Sequence, residues 1–181
     1  MLRRAELEFF YQEGSSWIFP DAWEEYLAAI PQPERFDLMS AYHRRLTNDK
    51  DVKSQREAAA AWTKWEMATS RLHVDPDMLK RAGDVDSFAL AFARIECHYF
   101  VNAGFFAEDG QLLKNAYILK NIPGVIVQGR YDMVCPMKSA WELHKQWPKS
   151  ELIVIPDAGH SMKEPGILQA LVAACDKYKN I

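Results

Sequence analysis

Two short runs near the C-terminal end constrain the fold more than any other feature of the chain. They are IPGVIVQG at 122–129 and SELIVIPD at 150–157. Both are β-branched and apolar, and each is followed by a helical pattern, at about 136–147 and 165–179. Strand–helix–strand–helix implies a parallel sheet with helical crossovers, an α/β arrangement. The strands alternate poorly between apolar and polar residues, which predicts burial on both faces. Two strands alone cannot build such a sheet. Residues 121–181 therefore read as the last βαβα piece of something larger.

Residues 1–120 have a different character, that of helices and connectors. In FPDAWEEYLAAI, Asp21 is the expected N-cap, with Glu24 at capping-box spacing. Trp23, Tyr26, Leu27 and Ile30 then fall on one apolar face. PERFDLMSAYHRRL predicts a second helix with Phe36, Met39 and Tyr42 inward. The alanine-rich SQREAAAAWTKWEMATSRL predicts a third and DVDSFALAFARIECHYFVNA a fourth. HVDPDML and NAGFFAEDGQLL read as loops or connectors, and no internal repeat is found.

Composition excludes several classes of function. Of the 181 residues, 49% are hydrophobic, enough for a core, and the net charge of −3 offers no basic field for nucleic acid. No apolar run reaches the roughly 18–20 residues needed to cross a bilayer, so no membrane association is expected. The start, MLRRAELEFF, is charged and lacks a long apolar core, so no signal peptide is expected. Cys97, Cys135 and Cys175 are odd in number and widely spaced, which fits neither a disulfide framework nor a metal site. A cytoplasmic chain without metal or cofactor is the expectation.

In open α/β sheets, functional groups lie in loops beyond the carboxyl ends of the strands. Asp132 follows the first run and His160 the second, 28 residues on. One helix and one strand fit between them, so both loops open on the same edge of the sheet. A carboxylate that orients an imidazole needs this placement. Taken singly, the aspartate also reads as a turn or cap residue, and the histidine as a surface residue. No Gly-x-Ser-x-Gly turn that would present a nucleophilic serine occurs. EGSSWIF lacks the second glycine and a preceding buried strand, GHSMK fails as well, and neither Cys97 nor Cys135 sits at an upstream strand-to-helix elbow.

A second constellation lies in the helical part. Phe92, Glu96 and Phe100 form one helix stripe, and Trp62 and Glu66 are spaced i, i+4. A carboxylate on a buried aromatic face needs a cationic partner. That partner is either Arg94, Arg71 or Lys64, in a structural ion pair, or the ammonium group of a substrate packed on the rings.

The chain resembles the C-terminal part of the proline iminopeptidases (prolyl aminopeptidases), serine peptidases of the α/β-hydrolase fold. The strings that carry the resemblance are RRAELEFFYQEGSSWIFPDAWEEY, WTKWE, FARIECHYF, GRYDMVCP and DAGHSMKEPGI, which run from one end of the chain to the other. ARIE-x-HYF together with GRYD-x-x-CP is specific, whereas the GHS turn is shared by many hydrolases. Cys97 departs from the pattern, because the family usually has asparagine there.

The resemblance implies that Asp132 and His160 are the acid and base of a Ser–Asp–His triad. It makes Glu66 and Glu96 the carboxylates that hold the free amino group of an N-terminal proline, with Phe100 and Tyr11 lining the pocket around its ring. In the family the serine elbow and oxyanion-hole segment lie upstream of the matched strings. Residues 1–120 would then be the cap region and 121–181 the end of the hydrolase domain, inactive alone. Expected partners are peptides with an N-terminal proline and either the remaining half of the enzyme or a second copy of the chain. The alternatives are a non-catalytic binding module derived from such an enzyme and another α/β-hydrolase, an esterase or epoxide hydrolase, with a similar tail.

Overall fold

The computed structural model describes residues 1–48, 50–83 and 87–179. Contacts group the chain into two compact units that interleave along the sequence. One comprises Leu2–Thr69 and Val74–Asp109; the other comprises Met1, Ser70–His73 and the chain from Gly110 onward.

The first unit is helical: α1 (Arg4–Tyr11), α2 (Pro20–Ala28), α3 (Leu38–Leu46), α4 (Val52–Thr69), α5 (Pro76–Gly83) and α6 (Ser87–Val101). Its core is aromatic. Tyr26, Tyr42 and Trp62 are fully enclosed, and Tyr26 stacks on Tyr42 at 4.5 Å between ring centroids. Alanines make this packing possible. Ala58 and Ala59 on α4, and Ala89 and Ala93 on α6, are buried, so α6 lies close against α3 and α4. Cys97 continues that small-residue face, with its thiol against the Met39 carbonyl at 3.6 Å. Burial pushes this thiol up to about 12, leaving it a packed, unreactive group.

Three expectations for this unit are corrected. Asp21 does not cap α2: Pro20 opens the helix and Asp21 sits inside its first turn, where its charge still faces the positive helix end. Phe36 is 84% exposed. A 3₁₀ turn at Gln32–Glu34 precedes it, and α3 starts only at Leu38, where Asp37 accepts from the Ser40 N–H at 3.1 Å. The inward face accordingly consists of Leu38, Ala41, Tyr42 and Leu46. HVDPDML is not a loop but leads into α5. The Asp75 carboxylate accepts from the Asp77 and Met78 N–H groups at 3.1 and 3.3 Å, and Pro76 fills the first helical position. The connector NAGFFAEDGQLL contains a 3₁₀ turn at Ala103–Phe105 and a short helix, α7 (Gln111–Lys114), which belongs to the second unit. The fourth predicted helix corresponds to α6, and its expected first residues, 84–86, lie outside the described residues.

The second unit contains β1 (Gly124–Gly129), α8 (Met137–Gln146), β2 (Ser150–Ile155) and α9 (Pro165–Tyr178). The strands are parallel, in register from Gly124 opposite Ser150 to Gly129 opposite Ile155. Both helices pack on the strands. Val125, Ile126 and Val127 are half-buried rather than enclosed on both faces, because among the described residues the sheet has only two strands. Among the described residues no helix is long and apolar enough to cross a membrane.

Candidate functional site

The parallel register sets the ends of β1 and β2 side by side, and the chain beyond each is held by backbone bonds. Arg130 N–H donates to the Ile155 carbonyl at 2.9 Å, and Tyr131 N–H donates to the Ala158 carbonyl at 3.0 Å. Gly129 is required here: a Cβ would collide with the Gly159 and Ala158 carbonyl oxygens. The loop after β1 therefore lies directly against the loop after β2, and Asp132 meets His160.

Asp132 is 7% exposed and heavily hydrogen-bonded. Oδ1 accepts from the Cys135 N–H at 2.7 Å and from the Val134 N–H at 3.0 Å. Oδ2 accepts from Gln128 Nε2 at 3.2 Å and faces His160 Nδ1 at 3.1 Å. Four polar contacts around one carboxylate fix its orientation and aim one oxygen at the imidazole. Gln128 also donates to the Cys135 carbonyl at 3.0 Å, tying the end of β1 to the turn. The sequence reading missed Gln128; its signal was a polar side chain inside an apolar strand.

The backbone of His160 is pinned as firmly. His160 and Ser161 N–H groups both donate to the Ser70 carbonyl, at 3.1 and 2.8 Å. The side chain is 40% exposed. The hydrogen bond to Asp132, then that to the Cys135 side chain, push its pKa up to about 10 against the opposing effect of burial. The imidazole thus holds its proton more tightly than a free histidine does, with Nδ1 engaged by Asp132. Such a couple can hold a proton for transfer at the other ring nitrogen.

The second predicted constellation lies in the helical unit, where α1, α4 and α6 bring Tyr11, Trp62, Glu66, Glu96 and Phe100 together. Tyr11 OH donates a short hydrogen bond to Glu66 Oε1, and Trp62 Nε1 donates to Glu96 Oε2 at 3.0 Å. The two donor rings stack on each other at 4.6 Å, 17° from parallel, and Phe100 leans on Tyr11 at 5.2 Å. Each carboxylate thus has its own aromatic donor. Glu66 is 7% exposed. Burial, then the negative charge of Glu66, raise the Tyr11 phenol well above its ordinary value, so it remains a donor. Of the cations weighed as ion-pair partners, Lys64 is engaged with Glu25 at 3.1 Å. That Trp62 is a hydrogen-bond donor and not only a ring was not legible from its spacing.

Tyr11 and Phe100 border a cleft of about 440 Å³, shared with Leu7, Met39, Arg4 and Asp37. A larger cleft of about 680 Å³, lined by Phe19, Ala22, Ala68, Val74 and Leu79, contains none of the candidate residues. Size therefore does not pick out the site; side-chain chemistry does. Among the described residues no group of three His, Cys, Asp or Glu side chains is placed to hold a metal ion.

Residues 12–166 match the family described as alpha/beta hydrolase fold. A probable proline iminopeptidase of Leptolyngbya boryana is 62% identical over 178 residues, covering 98% of this chain and 55% of that protein. The proline iminopeptidase of Xanthomonas citri is 60% identical over 98% of this chain and 56% of its own length. That of Arabidopsis thaliana is 53% identical over 99% and 47%. The chain spans about half the length of the curated relatives it matches. A family match over most of the sequence, and a parallel strand pair whose ends carry a hydrogen-bonded aspartate and histidine, place the chain in the α/β-hydrolase fold family.

Proposed function

We propose that this chain is the C-terminal half of a serine peptidase that releases proline from the N-terminus of peptides. Residues 1–120 supply its helical cap region with the connectors, among them Ser70–His73 and the stretch from Gly110, and 121–181 the end of its hydrolase domain. The observation that carries the reading is the Asp132–His160 hydrogen bond at the ends of adjacent parallel strands. In the complete protein a serine outside this chain attacks the carbonyl carbon of the N-terminal proline. Its hydroxyl proton passes to His160 Nε2, which then protonates the departing amine of the next residue. Water, deprotonated by the same nitrogen, hydrolyses the acyl-serine and frees proline. Asp132 keeps Nδ1 protonated and the ring oriented throughout. The base steps need a neutral imidazole, so the reading calls for activity that rises toward alkaline pH.

Glu66 and Glu96 are assigned to the substrate ammonium. A prolinium nitrogen is a secondary ammonium with two N–H donors, which two carboxylates match, and charge-assisted bonds in a sheltered pocket are strong. Phe100 and Tyr11 are assigned to the pyrrolidine ring. An esterase or epoxide hydrolase, acting on neutral substrates, has no use for such a pair of carboxylates. No cofactor is required, and a cytoplasmic location fits peptide turnover. The partner of the open β1 edge is a strand of the other half of the enzyme; in its absence the edge invites self-association.

The test is a chimera in which this chain replaces the corresponding segment of the Xanthomonas citri relative. It should hydrolyse a chromogenic proline amide, lose that activity on His160→Ala, and reject a substrate whose proline nitrogen is acylated. The 181-residue chain alone should show no turnover. A chimera indifferent to His160→Ala, or one that accepts acylated and free proline equally, would overturn the assignment.

A further inference from the structure

The loop carrying His160 is pressed against a segment far away in the sequence, Ser70–His73, which belongs to the same compact unit. Two kinds of contact hold them together. The Ser70 carbonyl receives both the His160 and Ser161 N–H groups. Glu164 then bridges the two segments: Oε1 accepts from the Gly159 N–H at 2.9 Å and Oε2 from the Leu72 N–H at 3.3 Å. The fit is close. A Cβ on Gly159 would stand 2.9 Å from Leu72 N and 3.1 Å from the Arg71 carbonyl carbon, while the other side of the turn abuts Gly129.

Glu164 occupies the N-cap position of α9, yet its side chain makes no capping bond there. Pro165 at the first helical position needs no donor satisfied, and Leu168 N–H is taken by the Glu164 backbone carbonyl. The carboxylate is turned backward instead, onto the residue preceding His160 and onto Leu72. Its role is in the histidine turn, not in the helix.

We propose that Glu164 is a positioning residue for His160, clamping the histidine turn to the Ser70–His73 strap through its two carboxylate oxygens. The inference rests on the assignment of Asp132 and His160 as the acid–base pair. The ring's ties, the 3.1 Å bond to Asp132 and the contact with the Cys135 side chain, both come from the loop after β1. Asp132 is fixed by the loop after β1, so Nδ1 meets it only if the histidine backbone is fixed relative to that loop. Glu164 and the Ser70 carbonyl provide this from the opposite side. A loosened turn lets the ring swing off Asp132 and opens Nδ1–H to water.

The readout is proton exchange measured by NMR on the 181-residue chain, in wild type, E164Q and E164D. Glutamine keeps one acceptor oxygen but presents an NH₂ to one of the two amides. Aspartate keeps the charge but is one methylene too short to span both. In E164Q the Gly159 and Leu72 amides should lose protection, and solvent exchange of the His160 ring Nδ1–H should speed up at least tenfold. E164D should give an intermediate value and serves alone if E164Q does not fold. E151Q, at an exposed glutamate paired with Lys177, should leave the ring proton unchanged. Unchanged ring-proton exchange in both Glu164 variants would reduce Glu164 to a structural clamp and overturn the proposal. So would a wild-type ring proton that exchanges as fast as that of a free imidazole. Loss of proline release by the chimera bears on the peptidase reading alone and leaves this measurement standing.

Discussion

Replacing Tyr11 with phenylalanine removes one oxygen atom and keeps the ring that stacks on Trp62. What is lost is the hydrogen bond from the phenol to Glu66, a carboxylate that is 7% exposed. A hydrogen bond to a charged group contributes about 1.5–3 kcal/mol, and water cannot readily replace the donor at a site this enclosed. Tyr11→Phe should therefore lower unfolding stability by about 2 kcal/mol, with the aromatic packing intact. Glu66→Gln supplies the control: against a neutral amide the phenol makes an ordinary bond of about 1 kcal/mol, so Tyr11→Phe should cost about half as much in that background. The assay is urea unfolding of the four proteins of this cycle, followed by tryptophan fluorescence and by circular dichroism, with midpoint and slope compared. A loss below about 0.5 kcal/mol in the wild-type background would refute the reasoning. An equal loss in both backgrounds would show that the charge on Glu66 is not what the phenol stabilises.

Two further outcomes follow from the Asp132–His160 pair. In an NMR titration His160 should deprotonate near pH 10 instead of near its ordinary value of 6.5, and Asp132→Asn should move the midpoint back toward that value. Because the folded-state affinity for the proton is raised, the pair's contribution to stability is complete below about pH 6.5. It should fade as pH rises toward 10, visible as a falling melting temperature that Asp132→Asn flattens. Gly129→Ala forces a Cβ into the Gly159 and Ala158 carbonyl oxygens, which are backbone atoms and cannot rotate away. A thermal melt should show a loss of about 1–3 kcal/mol, together with disorder of the His160 ring signals.

Much of the architecture was legible because it depends on local periodicity. β-branched runs bounded by turn residues gave both strands, and alanine-rich segments gave α4 and α6. Asp132 and His160 could be paired because strand ends in a parallel sheet converge whatever the side chains. The errors were also local: capping residues and helix starts at Pro20, Leu38 and Pro76 shifted the expected faces, and Phe36 fell outside as a result. The Asp75-Pro76 pair is a helix-start signal, which the loop-like composition of HVDPDML hides.

What the sequence by itself determined, then, is the helices α2, α3, α4 and α6, the parallel strand pair with its two helices, and the residue types available to a site. The tertiary structure decided who meets whom. Tyr11 and Glu66 are 55 positions apart, Trp62 and Glu96 are 34, and Leu72 and Glu164 are 92. No periodicity links such positions, because each hydrogen bond depends on the angle and depth at which separate elements pack. The same is true of the glycines at 129 and 159, whose necessity comes from backbone brought against them by distant parts of the chain. A pattern along the chain records which face a residue presents; only the packed fold determines which atom waits opposite it.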